Sequence, residues 1–171
     1  LKSRLLQILG NDIASKININ TFHSLGLKIL QTFANQKFIL INENEKRQIL
    51  TNIGVNKNQL NNIVQAISYF KNTLKPFDNV DFEKYFQKYE NELNQSNCID
   101  YDDLVYKTLN FLNNEKINSL NFDYILIDEF QDINNTQYQF IKYLCNGNTS
   151  VFAIGDPNQS IYAFRGSDNS L

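Results

Sequence analysis

Short apolar runs and helical periods divide this chain into segments. Leu5, Leu6, Ile8 and Leu9 fit one side of a short helix that Gly10 should stop. Ile17 to Phe22 alternates with period two and predicts a strand. Leu25, Ile29, Leu30 and Phe33 then recur at helical spacing, with Ser24 as the expected N-cap. Phe38 to Ile41 is a short apolar run. Asn42 with Glu45 forms a capping-box pattern ahead of a helix that buries Ile49, Leu50 and Ile53. Leu60, Ile63, Val64, Ile67 and Phe70 mark a further amphipathic helix, which should end before Pro76. Phe82, Tyr85, Phe86, Tyr89 and Leu93 mark another, and these rings are expected in the core. No strand signal lies between about Glu43 and Asn97, so this stretch reads as a helical insertion.

The last third changes character. Leu104, Val105, Thr108, Leu109 and Leu112 continue as a helix. Tyr124-Ile125-Leu126-Ile127 is an unbroken apolar run, which predicts a parallel strand buried on both faces. Asn134 or Asn135 should cap a helix whose inner face is Tyr138, Ile141, Leu144 and Cys145, with Gly147 ending it. Val151 to Ile154 is a second apolar run. Strand, helix and strand make a βαβ unit, and the fold class is therefore α/β with a parallel sheet.

Composition narrows the reading little. The chain has 171 residues, 42% hydrophobic and 20% charged, with a net charge of −2, an ordinary globular balance. No overall basic footprint for nucleic acid exists, so any such contact would rest on local charge. Cys98 and Cys145 form no metal or redox motif. There is no signal peptide, and no apolar run of membrane-spanning length, so no membrane partner and a cytoplasmic location are expected. The chain starts at Leu1 without an initiator Met and stops soon after Gly166-Ser167-Asp168. A piece of a longer protein is expected.

Chemistry concentrates at the strand ends. Asp128 and Glu129 follow the first strand of the βαβ unit, and Gln131 and Asp132 come next. Open α/β sheets bind ligands just beyond the carboxyl ends of their strands. One carboxylate there can hold Mg²⁺ together with substrate phosphates, and its neighbour can deprotonate a water. Taken alone, the acidic pair is equally compatible with a polar turn. The second strand also ends in a polar cluster, beginning at Gly155 and Asp156.

Two segments carry a specific resemblance. Ile127-Asp128-Glu129-Phe130-Gln131-Asp132 resembles the Walker B segment, motif II, of superfamily 1A DNA helicases of the UvrD/Rep/PcrA family. The segment from Gly155-Asp156-Pro157-Asn158-Gln159-Ser160 through Ile161-Tyr162-Ala163-Phe164-Arg165-Gly166 resembles motif III of the same family. Thr21-Phe22-His23-Ser24 is similar to its DNA-backbone-contacting motif. Lys71-Asn72 and Ile99 to Leu104 are similar to further family patterns.

The resemblance implies a partial RecA-like domain 1A over 1–42, a helical 1B insertion over 43–98, and a return to 1A over 99–171. It implies an ATP-dependent 3′→5′ DNA helicase or translocase acting in repair or replication. ATP and Mg²⁺ are then the cofactors, and single-stranded DNA and duplex junctions the partners. Asp128 would hold Mg²⁺, Glu129 would polarise the attacking water, and Gln159 would sense the γ-phosphate. Tyr162 and Phe164 would stack on bases, Arg165 would pair with a phosphate or an acid of the nucleotide site, and Gln131, Asp132 and Asp156 would couple the two. Thr21, Phe22 and His23 would face DNA, although a packed or capping role fits His23 as well. Phe164 stands where many relatives have Trp. No Gly-x-x-x-x-Gly-Lys-Thr/Ser loop is present, and no motif of a second RecA-like domain, so those parts are expected from the rest of the parent chain. A helicase–nuclease of the AddA/RecB kind and a degenerate, non-catalytic binding module remain alternatives.

Overall fold

Among the described residues, two separate pairs of parallel strands carry the helices. The computed structural model describes residues 2–34, 37–76, 80–115 and 120–156. In the first pair, β1 (Ile39–Leu40) lies alongside β2 (Cys98–Ile99). In the second, β3 (Tyr124–Ile127) lies alongside β4 (Ser150–Ala153), with Tyr124 opposite Ser150 and Ile127 opposite Ala153. The crossover between β3 and β4 is α7 (Asn135–Leu144), which makes the expected βαβ unit.

Between β1 and β2 the chain forms α3 (Glu43–Asn52), α4 (Lys57–Thr73) and α5 (Val80–Gln95). The expected capping box starts α3: Asn42 Oδ1 accepts from the Glu45 amide at 3.1 Å, and Glu45 accepts from the Asn42 amide at 2.7 Å. At its far end α4 closes on Leu74 in the left-handed region (φ 60), just ahead of Pro76. Ile63, Val64, Ile67, Phe82, Phe86, Tyr89 and Leu93 fill one core with Leu50 and Ile41. The aromatics of α5 are therefore core, as their spacing predicts. Because β1 and β2 pair, this helical segment leaves and re-enters the rest of the chain at adjacent points.

A second apolar layer joins α2 (Phe22–Phe33), α6 (Asp103–Glu115) and α7 through Ile29, Val105, Leu112, Phe140 and Leu144. Contact between α2 and α6 is close at Gly26, where a Cβ would overlap the Leu104 carbonyl oxygen. Thr108 Oγ1 donates both to the Gly26 carbonyl, at 3.1 Å, and to that of Leu104, at 2.8 Å. A third cluster, Ile127, Ile133 and Ile141, seats β3 on α7.

Several expectations change. Residues 17–21 form no strand; Ile17 and Ile19 are partly exposed, and no strand among the described residues bonds to them. Alternating polarity makes a strand only where a partner takes up the backbone hydrogen bonds. Gly10 does not end α1 (Lys2–Ala14): at φ 76 it kinks the helix, which resumes and buries Ala14. Thr21, not Ser24, caps α2, and Ser24 is the return partner of that capping box. Helix α7 ends at Leu144, ahead of Gly147, because Cys145 is already extended (ψ 125). Strand β3 is buried on one face only, with Tyr124 73% and Leu126 75% exposed. In a two-stranded sheet the helices cover one side, and nothing among the described residues covers the other. Among the described residues no helix is long and apolar enough to cross a membrane.

Candidate functional site

The carboxyl end of β3 turns sharply. Asp128 is followed by Glu129 in the left-handed region (φ 52), and a 3-10 turn over Phe130–Asp132 comes next. A non-glycine residue held there stores strain, of order 1–3 kcal/mol, that the surroundings must offset. Here the sheet hydrogen bonds continue past the strands: the Ile154 amide donates to Ile127 O at 2.9 Å and the Phe130 amide to Ile154 O at 2.8 Å. The turn is thereby pinned to the end of β4, and both Asp128 and Glu129 are exposed.

Side chains tie the two strand ends further. Gln131 Nε2 donates to Glu129 Oε2 at 2.6 Å, while Gln131 Oε1 accepts from the Asp156 amide at 2.9 Å. One amide thus joins the exposed carboxylate of Glu129 to the start of the segment after β4. Gly155 makes room for it, since a Cβ there would overlap Gln131 Oε1 and stand 3.1 Å from the Phe130 nitrogen. Asp128 Oδ1 accepts from the Glu129 amide at 3.1 Å. Asp132 is half-buried, and its Oδ1 has no hydrogen-bond partner among the described residues.

Three of the expected site residues besides the acidic pair, namely Gln131, Asp132 and Asp156, therefore gather around that pair. Gln159, Tyr162, Phe164 and Arg165 lie outside the described residues. Exposed carboxylate oxygens suit a hard cation such as Mg²⁺. Yet no group of three or more His, Cys, Asp or Glu side chains arranged to hold a metal occurs among the described residues. Asp128 and Glu129 fit a Mg²⁺ that arrives with substrate phosphates, not one held by a protein cage. Among the described residues, two surface depressions, one beside Leu40, Lys46 and Tyr101 and one beside Leu74, Leu109 and Tyr143, lie away from the acidic pair.

The Thr21-Phe22-His23 segment lies at the start of α2. Thr21 is exposed and caps the helix, accepting from the Ser24 amide at 3.2 Å. Phe22 packs against the clusters under the sheet. His23 stacks on Tyr101, ring centroids 4.0 Å apart and planes within 20°. Tyr101 is 58% exposed, and no spacing in the sequence places it beside His23.

A buried charge cluster lies where α4 and α5 meet the start of α6, and no pattern in the sequence marks it as one unit. Lys71 Nζ is 2.6 Å from Asp103, 2.8 Å from Glu90 and 3.0 Å from Asp100. Lys46 reaches Asp100 at 3.3 Å and Asp102 at 3.5 Å, and Lys107 reaches Glu90 at 3.2 Å. Tyr89 donates to Asp100 Oδ2 at 2.9 Å. Burial opposes charge on Lys71, but Asp103, Asp100 and Glu90 outweigh it and hold the ammonium protonated well above its ordinary value. Burial also opposes charge on Asp100, yet Lys71 and Lys46 keep its carboxyl well below the usual range. Burial, with Asp100 and Glu90 close by, pushes Asp103 up to about 6 against the pull of Lys71.

The model of the UvrD/REP helicase N-terminal domain matches residues 1–171. The chain is similar to the ATP-dependent DNA helicase Rep of Buchnera aphidicola subsp. Acyrthosiphon pisum, 36% identical over 98% of this chain and 30% of that protein. It is similar to a probable DNA helicase II homolog of Mycoplasma genitalium, 33% identical over 100% of this chain and 29% of that protein. It is also similar to the ATP-dependent DNA helicase PcrA of Staphylococcus epidermidis, 28% identical over 98% of this chain and 26% of that protein. The chain thus spans under a third of the length of these relatives. With the β3–α7–β4 unit and its paired carboxylates in place, and the family model matching from end to end, this chain belongs to the UvrD/REP helicase N-terminal domain family.

Proposed function

We propose that this chain supplies the water-activating half of the ATPase site of a 3′→5′ DNA helicase or translocase. One observation carries the reading: Asp128 and Glu129 stand side by side at the end of β3, tied through Gln131 to the segment that follows β4. Residues 1–42 and 99–171 form part of a RecA-like subdomain 1A, and residues 43–98 form the helical 1B insertion. The pairing of β1 with β2 supports that division, since the insertion begins and ends at neighbouring points.

Asp128 would hold Mg²⁺ on the nucleotide phosphates; the ion, when bound, neutralises charge that builds on them. Glu129 takes the proton of the attacking water, an assistance worth about 10²–10⁴-fold. Gln131 orients Glu129 through its 2.6 Å hydrogen bond. Gln159 follows Asp156 closely enough in sequence for γ-phosphate loss to pull on that same tie. Tyr162 and Phe164 stack on single-stranded DNA, with Arg165 beside them, and Thr21 and His23 face its backbone at the start of α2. The Walker A phosphate cradle and the arginine finger of a second RecA-like domain come from other parts of the parent protein. Two anionic carboxylates without that cradle repel ATP, so this chain alone should bind it weakly and turn none over.

The test is Glu129→Gln in the parent protein. DNA-stimulated ATP hydrolysis should fall at least about 10²-fold, while nucleotide binding stays within about threefold. A rate within about threefold of the parent would remove Glu129 from the role of base.

A further inference from the structure

The last turn of α4 is fastened to the first turn of α7. Asn134 Nδ2 donates to Asn72 Oδ1 at 2.7 Å, Asn135 Nδ2 to the Thr73 carbonyl at 2.7 Å, and Thr136 Oγ1 to the Lys71 carbonyl at 2.6 Å. The last carbonyls of any helix lack partners within it. At the end of α4 two of them are taken up by α7. Lys71, Thr73, Asn134 and Thr136 are all buried, so water offers little substitute for a lost bond.

Each side of this junction is held in turn. On the α4 side, Asn72 Nδ2 donates to Asp102 Oδ1 at 3.0 Å, and Lys71 Nζ is fixed by Asp100, Asp103 and Glu90. Asn72 thereby touches the start of α6 with one end of its amide and the cap of α7 with the other. On the α7 side, Asn134 follows buried Ile133, whose amide donates back to Phe130 at 3.3 Å inside the carboxylate turn. Only Ile133 separates Asp132 from the clamped cap. Apolar packing would let α4 slide over α7; three directed hydrogen bonds, that of Thr136 buried and those of Asn134 and Asn135 part-buried, fix one register.

We infer that Asn72 and Thr136 are positioning residues: they set the carboxylate turn, residues 128–132, against the helical segment 43–95. A shift of that segment then reaches Glu129 through α7. The structural part of this inference stands without the proposed ATPase; its effect on turnover rests on that proposal.

The experiment compares the parent protein with Asn72→Ala and Thr136→Val by hydrogen–deuterium exchange and steady-state ATPase assays. In either variant, exchange of amides 130–138 should rise by about tenfold, the scale of one lost buried hydrogen bond in a local opening. Exchange in α3 and α5 should not move. DNA-stimulated kcat should fall about tenfold, with KM for ATP within about threefold, since a displaced catalytic group acts on the chemical step. Asn72→Asp should be worse than Asn72→Ala, because it faces Asp102. Adding Asp102→Asn to Asn72→Asp restores a donor opposite an acceptor and should recover kcat. Unchanged exchange at 130–138 overturns the inference, and so does an equal rise in α3 and α5, which would be general loosening. Normal kcat alongside raised exchange overturns the link to turnover. Full activity of Glu129→Gln would instead sink the ATPase reading, leaving the exchange result to decide the clamp by itself.

Discussion

Replacing Lys71 by Met tests the buried charge cluster directly. Lys71 is 1% exposed, and its ammonium lies within 3.0 Å of three carboxylates. Met keeps most of the length and the apolar stem but removes the charge. Asp100, Asp103 and Glu90 then face one another with only Lys46, at 3.3 Å from Asp100, and Lys107, at 3.2 Å from Glu90, to offset them. Stripping one partner from a buried pair typically costs about 3–5 kcal/mol, because the charge left behind is uncompensated. Three carboxylates place this case towards the upper end, and the two flanking lysines pull it back. At about 2–4 °C per kcal/mol for a chain of this size, the melting temperature should fall by about 6–20 °C.

The sign of the pH dependence separates this account from simple loss of packing. Without Lys71, the pKa of the Asp100 carboxyl in the folded variant rises from below its ordinary 3.8 to above it, and that of Asp103, already up to about 6, rises further. The folded variant then binds more protons than the unfolded chain, so its stability improves as pH falls through those raised values. Urea unfolding at about pH 8 and about pH 5 should therefore show a smaller penalty at the lower pH. A loss under about 1 kcal/mol at the higher pH, or an equal loss at both, would refute the reasoning.

Other outcomes follow from the same geometry. Lys71 and Tyr89 both keep their protons above the ordinary values of 10.5 and 10.0, so the stability these two groups contribute is full below about pH 10 and falls as pH rises beyond it. Two protons give a slope of up to about 2.7 kcal/mol per pH unit, and Tyr89→Phe should roughly halve it, which alkaline urea titrations would read. Gly26→Ala should destabilise by about 1–3 kcal/mol or more, because the new methyl meets the Leu104 backbone and not a flexible side chain; thermal melts check this. In the parent protein, Gln131→Leu should lower DNA-stimulated kcat by about 10- to 100-fold with little change in KM for ATP, since it frees Glu129 without touching the nucleotide; steady-state kinetics would show it.

What the sequence determined by itself is what short-range physics controls. The Asn42–Glu45 capping box closes over three residues, and the helical periods of α4, α5 and α6 are single-element patterns, so both were legible. The βαβ unit was legible for the same reason, and with it the placing of Asp128 and Glu129 at a strand end. Motif resemblance added the family, which the chemistry of those residues alone left open. Tertiary structure decided whatever needed a distant partner. Residues 17–21 alternate like a strand but find no strand to pair with among the described residues. Tyr124 and Leu126 belong to an apolar run, yet lie on the face of a two-stranded sheet that no described residue covers. Lys71 looks like any helical surface lysine until α5 and α6 bring three carboxylates to it. Asn72 and Asn134 stand 62 residues apart and share a 2.7 Å hydrogen bond. Side-chain partners at that separation are set by how helices pack, which residue order fixes only through the whole fold, and no local period records it.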